Sequence, residues 1–394
     1  MGGYIFCILT TIYMLLGVLF YELRVFTHID ELFSIFIAVT ACFNIVLFKD
    51  KPRRPFTIWL AISLFYLIYS LRIESNIPVA VFNDFIMQSK PYLVLFGLLC
   101  IRPKLEQQHF KILQVISLIS LLTLIFIYIY HPEDREVATH GVMLTGDALS
   151  AVAILLGALY YLCCDSENII NKCITILIMS CGILSPTSKF WGILICAIAI
   201  VLFVNKPLKF NIKTLLLGCT ACVVIFILVR DEFIFYFVED FEYNTRPMLY
   251  LKMWDIMADH IPFGSGFATD ANHASMTWYS PIYTEYGLDM IWGLDEGNTE
   301  HFASDAYYPI FAQFGYAGIA LFVLLFIYLF REIGRCYSAT NDIKPYKVAL
   351  IIIAYILIQS TSNSLANERS VLAMGILAIA LYSFKPTNSR IEQQ

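Results

Sequence analysis

The sequence predicts an all-α polytopic membrane fold of about twelve transmembrane helices, with one large extracytoplasmic loop between the ninth and the tenth. Three observations carry this. Hydrophobic residues make up 59% of the chain and charged residues 14%, with a mean hydropathy of +0.71. Apolar runs of about 17 to 25 residues, the length that crosses a bilayer core as helix, recur along the chain. One long stretch, from Arg230 to Asp305, is too polar to lie in a membrane.

In chain order the apolar runs place spans near 3–22, 31–48, 56–72, 79–101, 112–130, 141–163, 173–185, 188–204, 213–229, 307–330, 347–363 and 369–384. The first lacks a basic leader and a small-residue cleavage site, so it reads as a retained span rather than a signal peptide. The fourth contains Pro91, which bends a helix and frees backbone carbonyls. The seventh is short, and Ser185-Pro186-Thr187 separates it from the eighth, which suits a tight helical hairpin. No internal repeat of the kind found in many transporters is present. The chain thus divides into helices one to nine over 1–229, the loop over 230–306, and helices ten to twelve with a tail over 307–394.

The positive-inside rule orients these spans. With both termini in the cytoplasm, 17 of the 26 Lys and Arg residues fall on that side and the loop is extracytoplasmic. This segregation, at a net charge of -5, gives no basic surface for nucleic acid. The eleven cysteines lie in or beside apolar runs, none in the loop, so neither a disulfide framework nor a zinc site is implied. Cys219 and Cys222, spaced as in a redox pair, sit in an apolar run and read as packing.

The loop holds 14 carboxylates, three basic residues and 16 aromatics, including Trp254, Trp278 and Trp292. A disordered linker would lack the aromatics. Thr245-Arg246-Pro247, followed by Met248, Leu251, Met253, Trp254, Ile256 and Met257, predicts a capped amphipathic helix lying at the membrane surface and ending at Pro262-Phe263-Gly264-Ser265-Gly266.

Ionisable residues in spans are costly and therefore candidates for function. Asp84 and Lys90 lie in the fourth span, where Lys90 suits an anionic headgroup or an internal pair with Asp84. Asp147 in the sixth span is less informative. Lys189, after Ser188, opens the eighth span at phosphate level, and Arg246 can fork onto a phosphate at a helix N-terminus; an interfacial anchor and a surface ion pair with Asp240 or Glu242 are their plain alternatives. Arg24, Arg72, Arg135 and Arg369 read as caps of span ends that also allow convergence in one funnel. Of the loop histidines, His260 and His273 read as surface residues, whereas His301 clusters with Glu300, Ser304 and Asp305 just before the tenth span. An imidazole or carboxylate there suits removal of a proton from a sugar hydroxyl. The loop aromatics Trp254, Trp278, Tyr279 and Tyr283 suit both sugar stacking and an interfacial belt.

Taken in order, Arg246, the Pro262-Phe263-Gly264-Ser265-Gly266 segment, and the run Ala306-Tyr307-Tyr308-Pro309-Ile310-Phe311-Ala312-Gln313-Phe314-Gly315-Tyr316-Ala317-Gly318 resemble the outer loop and following helix of the O-antigen polymerase (Wzy-type) and O-antigen ligase superfamily. Ser188-Lys189 and Lys90 are similar to that family's basic residues in earlier spans. The resemblance implies a GT-C-like membrane glycosyltransferase that works without cofactor or metal in the bacterial cytoplasmic (inner) membrane. It implies an undecaprenyl-diphosphate-linked oligosaccharide as donor, membrane lipids as surroundings and a chain-length regulator as a candidate partner. By the same resemblance, Arg246, Lys189 and Lys90 bind the diphosphate, and Asp305 or His301 activates the acceptor. Ligases of the family usually carry a His-Asn pair where this chain has Ser304-Asp305, with His301 three residues earlier. That departure favours a polymerase, whose acceptor is another lipid-linked repeat unit, over a ligase acting on lipid A core. A transporter or flippase for lipid-linked sugars is the competing class, supported by Asp84 and Lys90.

Overall fold

The computed structural model describes residues 2–20, 26, 28–47, 54–130, 146–185, 187–207, 245–291, 293–296, 308–361 and 363–382. Among them the fold is all-helical. In order, the helices are α1 (Gly3–Ile12, continued by a π-helical segment Tyr13–Leu19), α2 (Ile29–Leu47), α3 (Arg54–Arg72), α4 (Pro78–Ile101), α5 (Gln107–Tyr130), α6 (Gly146–Cys163), α7 (Ile169–Ser180), α8 (Ser188–Phe203), α9 (Thr245–Asp259), the short α10 (His273–Thr277) and α11 (Pro281–Glu285), α12 (Phe311–Thr340), α13 (Ile343–Gln359) and α14 (Glu368–Tyr382).

Five of these are long and apolar enough to cross a membrane: α2, α3, α4, α5 and α12 with its leading turn from Tyr308. Four shorter apolar helices accompany them, over Gly3–Leu19, Leu149–Cys163, Ile169–Leu184 and Lys189–Phe203. The architecture is a multi-pass helical bundle, while the expected ninth span, 213–229, lies outside the described residues. The break between α7 and α8 falls where Ser185-Pro186-Thr187 predicts it, after a 3-10 turn over Cys181–Leu184.

The axial helix is α4, with 72% of its apolar window buried against 22% for α3. Parallel to it, α2 packs closely because Gly97 has no side chain. A Cβ there would stand 2.6 Å from Ile37 Cγ2. Asp30 beside Lys90, Ile37 beside Gly97 and Ala41 beside Cys100 keep the register within one residue, so α2 begins level with the middle of α4. At the far end of α8 from Lys189, Lys347 donates to Val201 O at 3.0 Å and contacts Glu167, whose carboxylate also accepts from Lys172 and Tyr161. Burial alone would raise the Glu167 carboxyl, but these donors outweigh it and hold the group below its ordinary value.

The loop is sewn to the bundle by backbone. Gly315 interrupts α12 with φ 62 and ψ -166, which frees the carbonyls before it and an amide after it. Ser265 N donates to Ala312 O and Gly266 N to Gln313 O, both at 3.0 Å. The Tyr66 hydroxyl donates to Phe314 O at 2.8 Å, and Ala317 N donates to Pro262 O at 3.0 Å. The carbonyls of residues 312, 313 and 314 and the amide of Ala317 are thereby paired, as an apolar surrounding requires. The two strands of this seam approach so closely that a Cβ on Gly264 would lie 2.4 Å from Gly315 N, and one on Gly315 would lie 2.4 Å from Gly264 N.

Both glycines also have positive φ, so substitution adds backbone strain to the steric clash. Gly264→Ala and Gly315→Ala are each expected to destabilise the protein by more than about 1 kcal/mol. Gly334→Ala, in open space on α12, is expected to be neutral or slightly stabilising. Thermal unfolding of the detergent-solubilised variants, followed by tryptophan fluorescence, checks the contrast; equal midpoints in all three would contradict the seam's role.

Candidate functional site

Helix α9 forms where the sequence predicts a surface helix, with Pro247 in its first turn and Leu249, Met253, Ile256 and Met257 turned inward. Arg246 opens it and is half-buried. One turn on, the Tyr250 hydroxyl donates to Thr361 O at 2.8 Å, in the connection between α13 and α14. The ammonium of Lys189, in the first turn of α8, donates to Asn363 Oδ1 of the same connection at 2.9 Å. Two cationic residues that lie 57 positions apart in sequence are thus tied, directly or one helical turn away, to one short turn. Burial pushes the Tyr250 phenol up and Tyr308 adds to this, while the Arg246 charge acts in the opposite direction.

Further polar groups surround this turn. Arg369, in the first turn of α14, is held at 3.1 Å by Glu368. Asn367 Oδ1 accepts from Ser370 N at 2.8 Å and caps α14. Thr187 Oγ1 before α8, Gln359 Nε2 at the end of α13 and Ser370 Oγ are buried without a hydrogen-bond partner among the described residues. Sequence reasoning passed over Thr187, Gln359, Asn363 and Ser370. The one available signal was the polar, Ser- and Asn-rich run from Gln359 to Ser370 between two apolar helices.

Lys90 is placed otherwise than expected. Its ammonium meets neither a cavity nor Asp84 but the carboxylates of Asp30 and, at 3.1 Å, Glu31. Six positions along one helix put Asp84 and Lys90 on different faces. Asp84 instead accepts from Ala268 N at 2.8 Å and from Gln88 at 3.2 Å. Gln313 joins the same loop segment, with Oε1 accepting from Ala268 N at 3.1 Å and Nε2 donating to Asp270 O at 2.6 Å.

The loop aromatics separate into two groups. Trp254 is 52% exposed and Trp278 half-buried. Tyr279 donates to Leu294 O at 2.7 Å, and Tyr283 is fully buried, its hydroxyl 2.7 Å from Ser275 Oγ. Tyr283 therefore belongs to the loop's own core and offers no face to a sugar in this conformation, which corrects the expectation for that residue. The catalytic candidates His301 and Asp305 lie outside the described residues, as does Trp292.

An apolar cavity of about 490 Å³ lies beside the seam between α3, α4 and α12, lined by Trp59, Tyr66, Tyr92, Phe267 and Phe322, with Ser89 among the few polar groups. Neither Lys189 nor Arg246 lines it. Its walls suit a hydrocarbon chain rather than a headgroup. Among the described residues no group of three or more His, Cys, Asp or Glu side chains is placed to hold a metal ion. No protein-family model matches the chain, and no curated protein matches it.

Asp270 is fully buried, with neither carboxylate oxygen hydrogen-bonded among the described residues. Burial pushes its carboxyl up to about 7, the Ala271 amide pulling partly back. Unfolded, the group titrates near its ordinary value of about 4. Between these values the folded chain keeps a proton that the unfolded chain has released, so stability falls as pH rises through that window and levels off above it. Asp270→Asn is expected to flatten this slope in thermal midpoints measured from about pH 5 to about pH 8; an unchanged slope would assign the pH dependence to other groups.

Proposed function

We propose that the protein is a membrane glycosyltransferase that polymerises lipid-diphosphate-linked repeat units of a surface polysaccharide. The observation that carries this reading is the attachment of Lys189 and of Tyr250, one turn from Arg246, to the single turn between α13 and α14. Cationic groups from two distant parts of the chain, with buried donors around them, suit a diphosphate at the end of the bundle that bears the loop.

In the proposed reaction a hydroxyl oxygen of one repeat unit attacks the anomeric carbon of another glycan. The bond from that carbon to the diphosphate breaks, and undecaprenyl diphosphate leaves with the electron pair. The hydroxyl proton passes to Asp305 or His301. Lys189 and Arg246 stabilise the leaving diphosphate, whose negative charge grows as the bond breaks. The apolar cavity beside the seam supports a lipid-chain substrate. Lys90 is left out of this clamp, since Asp30 and Glu31 occupy it. The proposed site faces the outside of a bacterial cytoplasmic membrane, with both termini in the cytoplasm.

Purified protein reconstituted with undecaprenyl-diphosphate-linked repeat units is expected to yield a ladder of longer glycans on gels. Lys189→Ala and Arg246→Ala are expected to reduce long chains at least about 100-fold while the protein remains folded and inserted. Normal ladders from both variants would sink the diphosphate clamp. Movement of unaltered units across the bilayer would identify a transporter, and transfer of preformed glycan to a separate acceptor would identify a ligase.

A further inference from the structure

The charges between α2 and α4 do not balance. Two carboxylates, Asp30 and Glu31, face one ammonium, Lys90, with side-chain exposures of 0%, 11% and 1%. Lys90 Nζ donates to one oxygen of each acid, while Asp30 Oδ1 and Glu31 Oε2 are buried with no hydrogen-bond partner among the described residues. Both carboxyl groups thus converge on one ammonium nitrogen. Two ionised carboxylates on one ammonium leave a negative charge over, which a proton on one of them removes.

Among the described residues, the neighbouring elements do not supply the missing charge. His28 Nδ1 lies 3.8 Å from Glu31 Oε2, but its side chain is 78% exposed and any charge on it is screened by water. From the π-helical segment, the Tyr13 hydroxyl donates to Glu368 O and its ring stacks on Phe33. From α14, Arg369 is met by Glu368 at 3.1 Å, leaving that pair neutral. Farther along α4, Asp84 adds an acid and no cation. The N-terminus of α2 contributes about half a positive charge, too little to offset a full unit. An uncompensated charge at this depth is costly.

We infer that Asp30, Glu31 and Lys90 form a proton-binding site, in which the two carboxyl groups share one proton and the buried triad is electrically neutral. The ligand is a proton, and its loss or gain changes the charge between α2 and α4 by one. This site is separate from Lys189 and Arg246, so it stands whether or not the diphosphate reading holds.

Infrared spectroscopy of the full-length protein in nanodiscs reads the proton directly, through the carbonyl stretch of protonated carboxyls and its shift in heavy water. Asp84 and Asp270 contribute the same background to every sample and cancel in difference spectra. At neutral pH, Asp30→Asn and Glu31→Gln are each expected to lose band area equal to one carboxyl, because either leaves a neutral acid–lysine pair. Lys90→Met is expected to gain one carboxyl, as both acids must then be neutral. Loss in one carboxamide variant alone leaves a protonated acid beside the ammonium in the other and overturns the shared proton. An unchanged band in both carboxamide variants, or no gain in Lys90→Met, overturns the inference.

Discussion

A helix interrupted in apolar surroundings leaves carbonyls that water cannot reach, and they must be met by donors from elsewhere in the chain. In this protein the interruption is at Gly315, and the donors come from residues 265 and 266 and from Tyr66. The seam places the loop on the bundle with little freedom. Gly264 and Gly315 touch through backbone alone, while Tyr69, Ser70, Ser75 and Asn76 hold the adjoining segment from the α3 side. Asp84 and Gln313 hold it from α4 and α12. Local strain is accepted in return, for Ala268 and Ala271 both adopt positive φ.

With the loop held in this way, α9 lies across the end of α12 and α13, and Tyr250 reaches the turn that Lys189 also reaches. The same loop thus contributes Phe267 to the apolar cavity and Tyr250 to the turn that Lys189 reaches. The buried charges follow a related logic. Lys347 and Lys172 share Glu167 at one end of the bundle, Lys90 shares two acids level with the middle of α4, and Lys189 donates to the Asn363 amide oxygen at the other end.

Much of the fold was legible in the sequence wherever the relevant interactions are local. Thr245 and Pro247 mark the start of α9, and the Ser185-Pro186-Thr187 break between α7 and α8 is written in a few consecutive residues. The segment Pro262 to Gly266 and the run to Gly315 were visible as motifs, but not as one another's partners, because pairing across that separation leaves no periodicity to read. Lys90 shows the limit most plainly. An intramembrane lysine announces a partner, yet the partner lies 60 residues away on a parallel helix whose register depends on Gly97 and Ile37. Tyr283 failed for the same reason, since an aromatic in a loop looks alike whether it lines a surface or forms the loop's own core.

By itself the sequence determined the solvent. Its hydropathy forces helices, because each backbone group in an apolar medium must be paired within its own segment, and that constraint acts on short stretches of chain. It also determined where those helices are capped or broken. Only the tertiary structure decided which charges meet, which glycines touch and which aromatics are buried. Those outcomes depend on the relative register of helices far apart in the chain, and register is settled by packing between surfaces that no local pattern encodes.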